Sequence, residues 1–515
     1  MNLSRTLNRP RPAWWSIGFW FIACTIFLVV TLNQGGAAPG DAPESIFGPW
    51  AIEHCDWACL YAPSASYITA LEPGPIALNP PVYPLLSGAI ASLEGIGHRV
   101  PFPTTSALGV NCQHGPSAIG RWSVQAHATG ATLRLGYLAL FVLAMGLSFI
   151  IRSLRRCTTL WELIGPLLVA ISPPTYECLT TFFHPEDLLA IGFVLFGVAI
   201  AIRERWALAG TAVAVGLCTQ QSALLVAVTL FFIAPRRSRA HFALGFGAVA
   251  AAINLGAVAL TNGRAWSPVI FGSSRIRTAS SGHFHSIGGT VLYELHLHGL
   301  ILFFASRLLP LLCAGLMAWW VRRALGDGVV DAVVIVSLMS TALVLRLVFE
   351  ENLFNYYFMP LVVGLVVIEV ARGRFRGASL AWLGLVSFAF GVLPPLLNQG
   401  STTGALIHLR LALAVFALFV LSFVVMLVHD RRLLRAGIPF VALCVLLIFS
   451  NHLPNHASGD NTPYWLWQIL LVPTSVALCA APWWQSVQRA RGRDDELHFW
   501  RRDHQTSVIG TRSSS

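Results

Sequence analysis

The chain has 515 residues, 55% of them hydrophobic and only 11% charged, with a formal net charge of +11. A soluble domain carries about a quarter charged residues, so this chain lacks the polar side chains to cover a water-facing surface. All 34 basic residues are arginine. The absence of lysine excludes a Walker-type phosphate loop and a Schiff-base lysine. The arginines fall in short tracts between apolar runs, which argues against a nucleic-acid-binding face.

Apolar runs recur along the whole length, and many are as long as a hydrocarbon core of about 30 Å demands. Backbone groups in lipid must be paired within the segment, so the runs are read as helices. The first, 14–33, follows a basic start. It is too long for a signal-peptide core, lacks a convincing small-residue cleavage site, and is read as an anchor. A polar segment, 34–132, comes next. Further spans are expected at 133–151, 161–180, 187–202, 206–217, 221–234, 241–260, 299–321, 329–348, 357–371, 377–397, 404–428, 437–450 and 464–482. The pair 206–217 and 221–234 is too short for two ordinary spans and reads as a broken or re-entrant hairpin around Cys218–Gln221. The tail from 483 to 515 is charged and then serine-rich, and is expected to be disordered and cytoplasmic.

This gives an all-α polytopic transmembrane bundle of about 12–14 spans, organised as a short N-terminus (1–13), a transmembrane domain (14–482) and a tail (483–515). Arginine sets the orientation. The tracts at Arg5–Arg11, Arg152–Arg156, Arg203/Arg205, Arg236–Arg239, Arg322/Arg323, Arg372–Arg376, Arg431–Arg435 and the C-terminal group alternate onto one side. The opposite loops hold Glu53, Asp56, Glu186, Asp187, Glu350, Glu351 and Asp460. The arginine side is therefore expected to be cytoplasmic, with both termini there, and the acidic side extracytoplasmic.

The ten cysteines form no CxxC pair and no metal pattern. Most lie in or beside apolar runs and read as small core residues. Cys55, Cys59 and Cys112 share the segment 34–132, where a disulfide from Cys112 to either of the other two is compatible with an outer location. His283, His285, His296 and His298 form two His-x-His pairs, but alternation places such residues on one face only in a strand, and none is expected there. No metal or cofactor is expected.

The segment 34–132 is much longer than a connection requires, which in compact proteins marks function. Its stretch 79–93 is amphipathic and suits a helix lying at a membrane surface. Glu53 and Asp56 would share a helix face. His184–Asp187 places a proline and two acids where a helix start favours them, and either acid also suits acceptor binding, holding a metal or base catalysis. Arg346 stands at the end of an apolar run beside Glu350 and Glu351. It reads either as an internal ion pair or as a clamp on a phosphate, for which the planar guanidinium is suited. Arg275 and Arg277 compete for the clamp role. Tyr356 and Tyr357 read as interface aromatics or as sugar-stacking residues.

The order of Asp56, Tyr61, Tyr67, Gly74, Pro80, Pro81, Tyr83 and Pro84, followed by His184–Asp187 and the run from Phe349 to Pro360, resembles the GT-C superfamily of integral-membrane glycosyltransferases. The likeness is to the bacterial polyprenyl-phosphate-sugar mannosyltransferase-like group, over roughly residues 14–375. It implies a plasma (inner) membrane enzyme acting on its extracytoplasmic face. Sugar would pass from a polyprenyl-phosphate donor to an envelope glycan or lipid. A carboxylate general base would take the acceptor's proton. Asp56 matches the family's base position, with Glu186 and Asp187 as further catalytic candidates. Arg346, Glu350, Tyr61, Tyr83, Gln220, Gln221, Tyr356, Tyr357 and Arg275 are the expected substrate-binding residues. Related hairpins often carry Lys or Arg at the tip, where this chain has Gln220–Gln221. The rival readings are a transporter or lipid flippase, which would place its polar groups at the membrane midplane, and a non-catalytic envelope-assembly protein.

Overall fold

The computed structural model describes residues 18, 20–25, 81–82, 86, 131–154, 159–180, 184–260, 295, 299–350, 355–373, 376–387 and 472–491. Among them there is no strand. The helices are α1 (Ala131–Ser153), α2 (Thr159–Ala170), α3 (Pro173–Thr180), α4 (Pro185–Ile202), α5 (Trp206–Thr219), α6 (Ala223–Ile233), α7 (Arg236–Leu260), α8 (Gly299–Leu325), α9 (Ala332–Phe349), α10 (Met359–Arg372) and α11 (Gly377–Ser387). A 3-10 turn, Asn355–Phe358, precedes α10, and a further helix, α12, covers 472–491. Five of these helices are long and apolar enough to cross a membrane: Arg134–Ser153, Pro185–Ile202, Arg236–Ala259, Phe304–Leu325 and Ala332–Phe349.

Local sequence explains where elements begin and end. The run expected as one span over 161–180 divides into α2 and α3. Pro173 and Pro174 disfavour helical backbone just ahead of them. Ser172 Oγ donates to the Val169 carbonyl at 3.0 Å and lies 2.9 Å from Thr175 Oγ1 at the break. The Asp331 carboxylate caps α9 by accepting from the Val333 amide at 2.9 Å, a contact that satisfies an orphan donor of the first turn. Helix α10 ends on Gly373, whose φ of 75° is left-handed and suits a residue without Cβ. The last expected span, 464–482, overlaps α12, which continues to 491.

Packing orders the helices around α4. It lies between α1 and α5; α5 packs on α7, α6 on α8 and α9, and α9 on α10. The Pro185–Ile202 stretch is 78% buried, whereas Arg236–Ala259 is 11% buried and lies at the periphery. Lipid tails are as apolar as leucine, so membrane helices associate through close backbone approach rather than hydrophobic burial. Two crossings show this. A Cβ on Gly146 of α1 would stand 2.5 Å from the Gly192 carbonyl oxygen of α4. A Cβ on Gly210 of α5 would overlap the Phe242 carbonyl of α7, and one on Gly245 of α7 would overlap that of Ala207.

The short hairpin is a pair of separate helices joined at Gln220–Ser222. At 1.5 Å per residue α5 is about 21 Å long and α6 about 16 Å, both less than a hydrocarbon core of about 30 Å. Gly216 faces Ala190 of α4, and Leu225 packs with Ala342 and Leu345 of α9.

Among the described residues, the arginine tracts gather at one end of the bundle. Arg203 caps α4 there, with its guanidinium 4.6 Å over the Phe149 ring of α1. At the same end Arg236 pairs with Asp327 at 3.8 Å. Glu369 of α10, fully buried, accepts from the Arg376 amide at 2.8 Å, from Arg376 Nε at 2.9 Å and from Ser379 Oγ at 2.7 Å, tying α10 to α11. Helix α12 packs nearby. Trp483 Nε1 donates to Thr341 Oγ1 at 3.2 Å, and Ser337 Oγ donates to the Cys479 carbonyl.

Candidate functional site

The opposite end of the bundle holds a buried ionic cluster built from four segments. His184 and Pro185 start α4, so Glu186 and Asp187 fall in its first turn, where the partial positive charge of the helix N-terminus favours acids. Both acids are buried, at 0% and 5% exposure. Arg346 sits in the last turn of α9, with Glu350 as the residue that follows the helix. Arg307 lies two turns into α8, and Tyr356 and Tyr357 form the 3-10 turn that leads into α10.

Arg346 is the hub. Its Nε donates to Glu350 Oε2 at 2.8 Å, and its Nη1 lies 3.5 Å from Asp187 Oδ1. Its guanidinium rests 4.0 Å from the centre of the Tyr357 ring. Glu350 is shared: the same Oε2 also accepts from Arg307 Nη1 at 2.8 Å. A buried carboxylate holding two guanidinium groups offsets part of the cost of taking all three charges out of water. Asp187 Oδ2 is buried and has no hydrogen-bond partner among the described residues.

An aromatic wall closes one side. His184 stacks on Tyr356 with ring centres 4.7 Å apart, and Tyr356 meets Tyr357 edge-on at 4.5 Å. His184 Nδ1 lies 2.6 Å from Glu186 Oε1, which fixes the imidazole against α4. Burial, with the neighbouring Tyr357 and Asp187, pushes the Tyr356 phenol well above its usual range, so it stays protonated.

The structure thus brings together Glu186, Asp187, Arg346, Glu350, Tyr356 and Tyr357 from the sequence-derived set. Arg346 has the internal ion pair that was one of its two readings. Gln220 and Gln221 form the half-buried hairpin tip, where Gln220 Oε1 accepts from the Gln221 amide at 2.8 Å. Asp56, Tyr61, Tyr83, Arg275, Arg277, Glu351 and the four loop histidines lie outside the described residues, as do Cys55, Cys59 and Cys112. No cluster of His, Cys, Asp and Glu able to hold a metal occurs among the described residues.

Sequence reasoning missed Arg307, and it named His184 only as the opening of the His184–Asp187 motif, without a role of its own. Arg307 was detectable, because a lone arginine inside an apolar helix is costly unless it is paired. His184 had no comparable signal; its role comes from the ring of Tyr356 beneath it.

No protein-family model matches this chain, and no curated protein matches it.

Proposed function

We propose that this chain is a membrane glycosyltransferase of the GT-C type, transferring sugar from a polyprenyl-phosphate donor to an envelope glycan or lipid. The observation that supports this best is the buried network in which Arg346 bridges Asp187 and Glu350 and Glu350 also holds Arg307, at the end of the bundle opposite the described arginine tracts. On this reading that end faces outward from the plasma membrane, the bundle has about a dozen spans, and both termini are cytoplasmic.

In the proposed reaction the acceptor hydroxyl attacks the anomeric carbon and gives its proton to a carboxylate. The bond from that carbon to the donor phosphate oxygen breaks, and the phosphate leaves with the electron pair. Asp56 is the proposed base, on the strength of the sequence resemblance. Asp187, with one buried oxygen free of hydrogen bonds among the described residues, is suited to orient the acceptor hydroxyl. Arg346 and Arg307, oriented by their shared bonds to Glu350, are the guanidinium groups that would face the departing phosphate. Preorganised charge in a water-poor site is worth more than the same charge in water. Arg307 also supplies a cation near the hairpin tip, where Gln220–Gln221 has none. It lies one turn before Leu311, which packs with Leu225 of α6. A tyrosine pair beside a half-buried histidine suits stacking against a sugar face.

The test is transfer from a radiolabelled polyprenyl-phosphate sugar in membranes containing the full chain. Asp56→Asn is expected to abolish transfer, and Asp187→Asn to lower it by about 10²-fold, with unchanged membrane insertion. Full transfer by both variants, or none by the parent chain with any polyprenyl-phosphate sugar tried, would overturn the reading.

A further inference from the structure

A cavity of about 320 Å³ opens at the arginine-rich end, between the start of α7 and the end of α8. Arg236, Arg239, Arg322 and Arg323 line it, with Trp319 and a single acid, Asp327. Four guanidinium groups thus face one carboxylate. Two of the four are fixed in place. Arg239 Nη2 donates to the Phe232 carbonyl at 2.9 Å. Arg322, with its side chain 4% exposed, donates from Nη1 to the Gly328 carbonyl at 2.9 Å and lies 3.5 Å from Asp327 Oδ1. Its buried Nε has no hydrogen-bond partner among the described residues. Arg236 and Arg323 are exposed, and Arg323 lies 5.6 Å over the Trp319 ring.

An apolar track leads away from this cavity. Phe304, Leu308, Leu312, Leu316 and Trp319 are 41–63% exposed and recur at helical spacing down one side of α8. Fifteen residues of helix span about 22 Å, more than the depth of one leaflet of a core about 30 Å thick. A charged cavity at the foot of an exposed apolar track matches the shape of one lipid molecule, headgroup and tail. A soluble phosphate compound would use the cavity and leave the track unused.

We propose that this cavity binds the phosphate headgroup of an anionic phospholipid, with an acyl chain lying along Leu316, Leu312 and Leu308. Basic pockets between membrane helices favour such headgroups. The site is at the far end of the bundle from the ionic cluster and does not depend on the glycosyltransferase reading. It also gives the arginines a second role beyond orientation: two of them are held by backbone carbonyls in a fixed concave array, which orientation alone does not require.

The experiment is native mass spectrometry of the full chain in detergent, titrated with phosphatidylglycerol, phosphatidylcholine or glycerol phosphate. Phosphatidylglycerol is expected to bind at least tenfold more tightly than phosphatidylcholine. The exposed pair Arg236→Gln/Arg323→Gln is expected to weaken phosphatidylglycerol about tenfold and to leave phosphatidylcholine unchanged. A control pair, Arg205→Gln/Arg237→Gln, removes the same charge from a neighbouring cavity and is expected to leave phosphatidylglycerol binding intact. Equal affinity for the two lipids, retained affinity in Arg236→Gln/Arg323→Gln, or an equal loss in the control pair would overturn the proposal. So would displacement of phosphatidylglycerol by equimolar glycerol phosphate, which would mark a soluble phosphate site.

Discussion

Asp187 and Arg346 meet at 3.5 Å across the interface of α4 and α9, two helices separated in sequence by four others among the described residues. The contact turns two helix-end charges, each ordinary in its local sequence, into one buried network that also takes in Glu350 and Arg307. Removing either partner is expected to cost more than the contact itself is worth, because it leaves the other charge buried.

Glu350 holds the network together, since both guanidinium groups bond the same oxygen. Glu350→Gln is expected to destabilise the chain by about 3 kcal/mol. Glu350→Gln combined with Arg307→Met is expected to lose less than the two single changes summed. Thermal unfolding in detergent, read as a double-mutant cycle, measures the coupling; strict additivity would mean that the two do not act as a pair.

The crossing of α5 and α7 depends on the missing Cβ of Gly245. Gly245→Ala is expected to destabilise by about 1–3 kcal/mol through overpacking. Gly247, on the same helix, has nothing within 4 Å of a Cβ position, so Gly247→Ala is expected to be neutral or slightly stabilising through helix propensity. The difference in melting temperature between the two variants is the measurement.

Glu369 joins α10 to α11 through three donors from Arg376 and Ser379. Glu369→Gln replaces one accepting oxygen with a donating amide that faces donors. A loss of about 2–4 kcal/mol is expected, with Glu369→Ala worse, because it removes both accepting oxygens and leaves a cavity in place of the side chain. Limited proteolysis between α10 and α11 should accelerate in the same order.

The proposed orientation has its own check. Alkaline phosphatase fused after Glu350 is expected to be active, and the same enzyme fused after Arg205 inactive, with green fluorescent protein giving the reverse pattern. Active phosphatase at Arg205 would invert the bundle and place the ionic cluster on the cytoplasmic side.

Much of the architecture is legible in the sequence. Apolar runs must be helical because backbone groups in lipid have no other partners, and α1, α4 and α9 fall within a few residues of the expected spans. The two short helices α5 and α6 are legible too, because the apolar runs at 206–217 and 221–234 are interrupted by the polar residues at 219–222. The break between α2 and α3 is written in Pro173 and Pro174, but the apolar flanks on both sides conceal it. The acids at the start of α4 and Arg346 near the end of α9 stand out as charges at the margins of apolar runs.

Sequence by itself determined the helical class, the alternation of arginine tracts and the helix-end acids, because these follow from local rules of charge, proline and hydrophobic length. Only the tertiary structure decided that Arg346 divides itself between Asp187 and Glu350, that Arg307 joins them from α8, and that His184 stacks on Tyr356. Those pairings depend on which helix faces which, and facing is set by close backbone contacts such as those at Gly192 and Gly210. A glycine in the sequence does not say which backbone it admits.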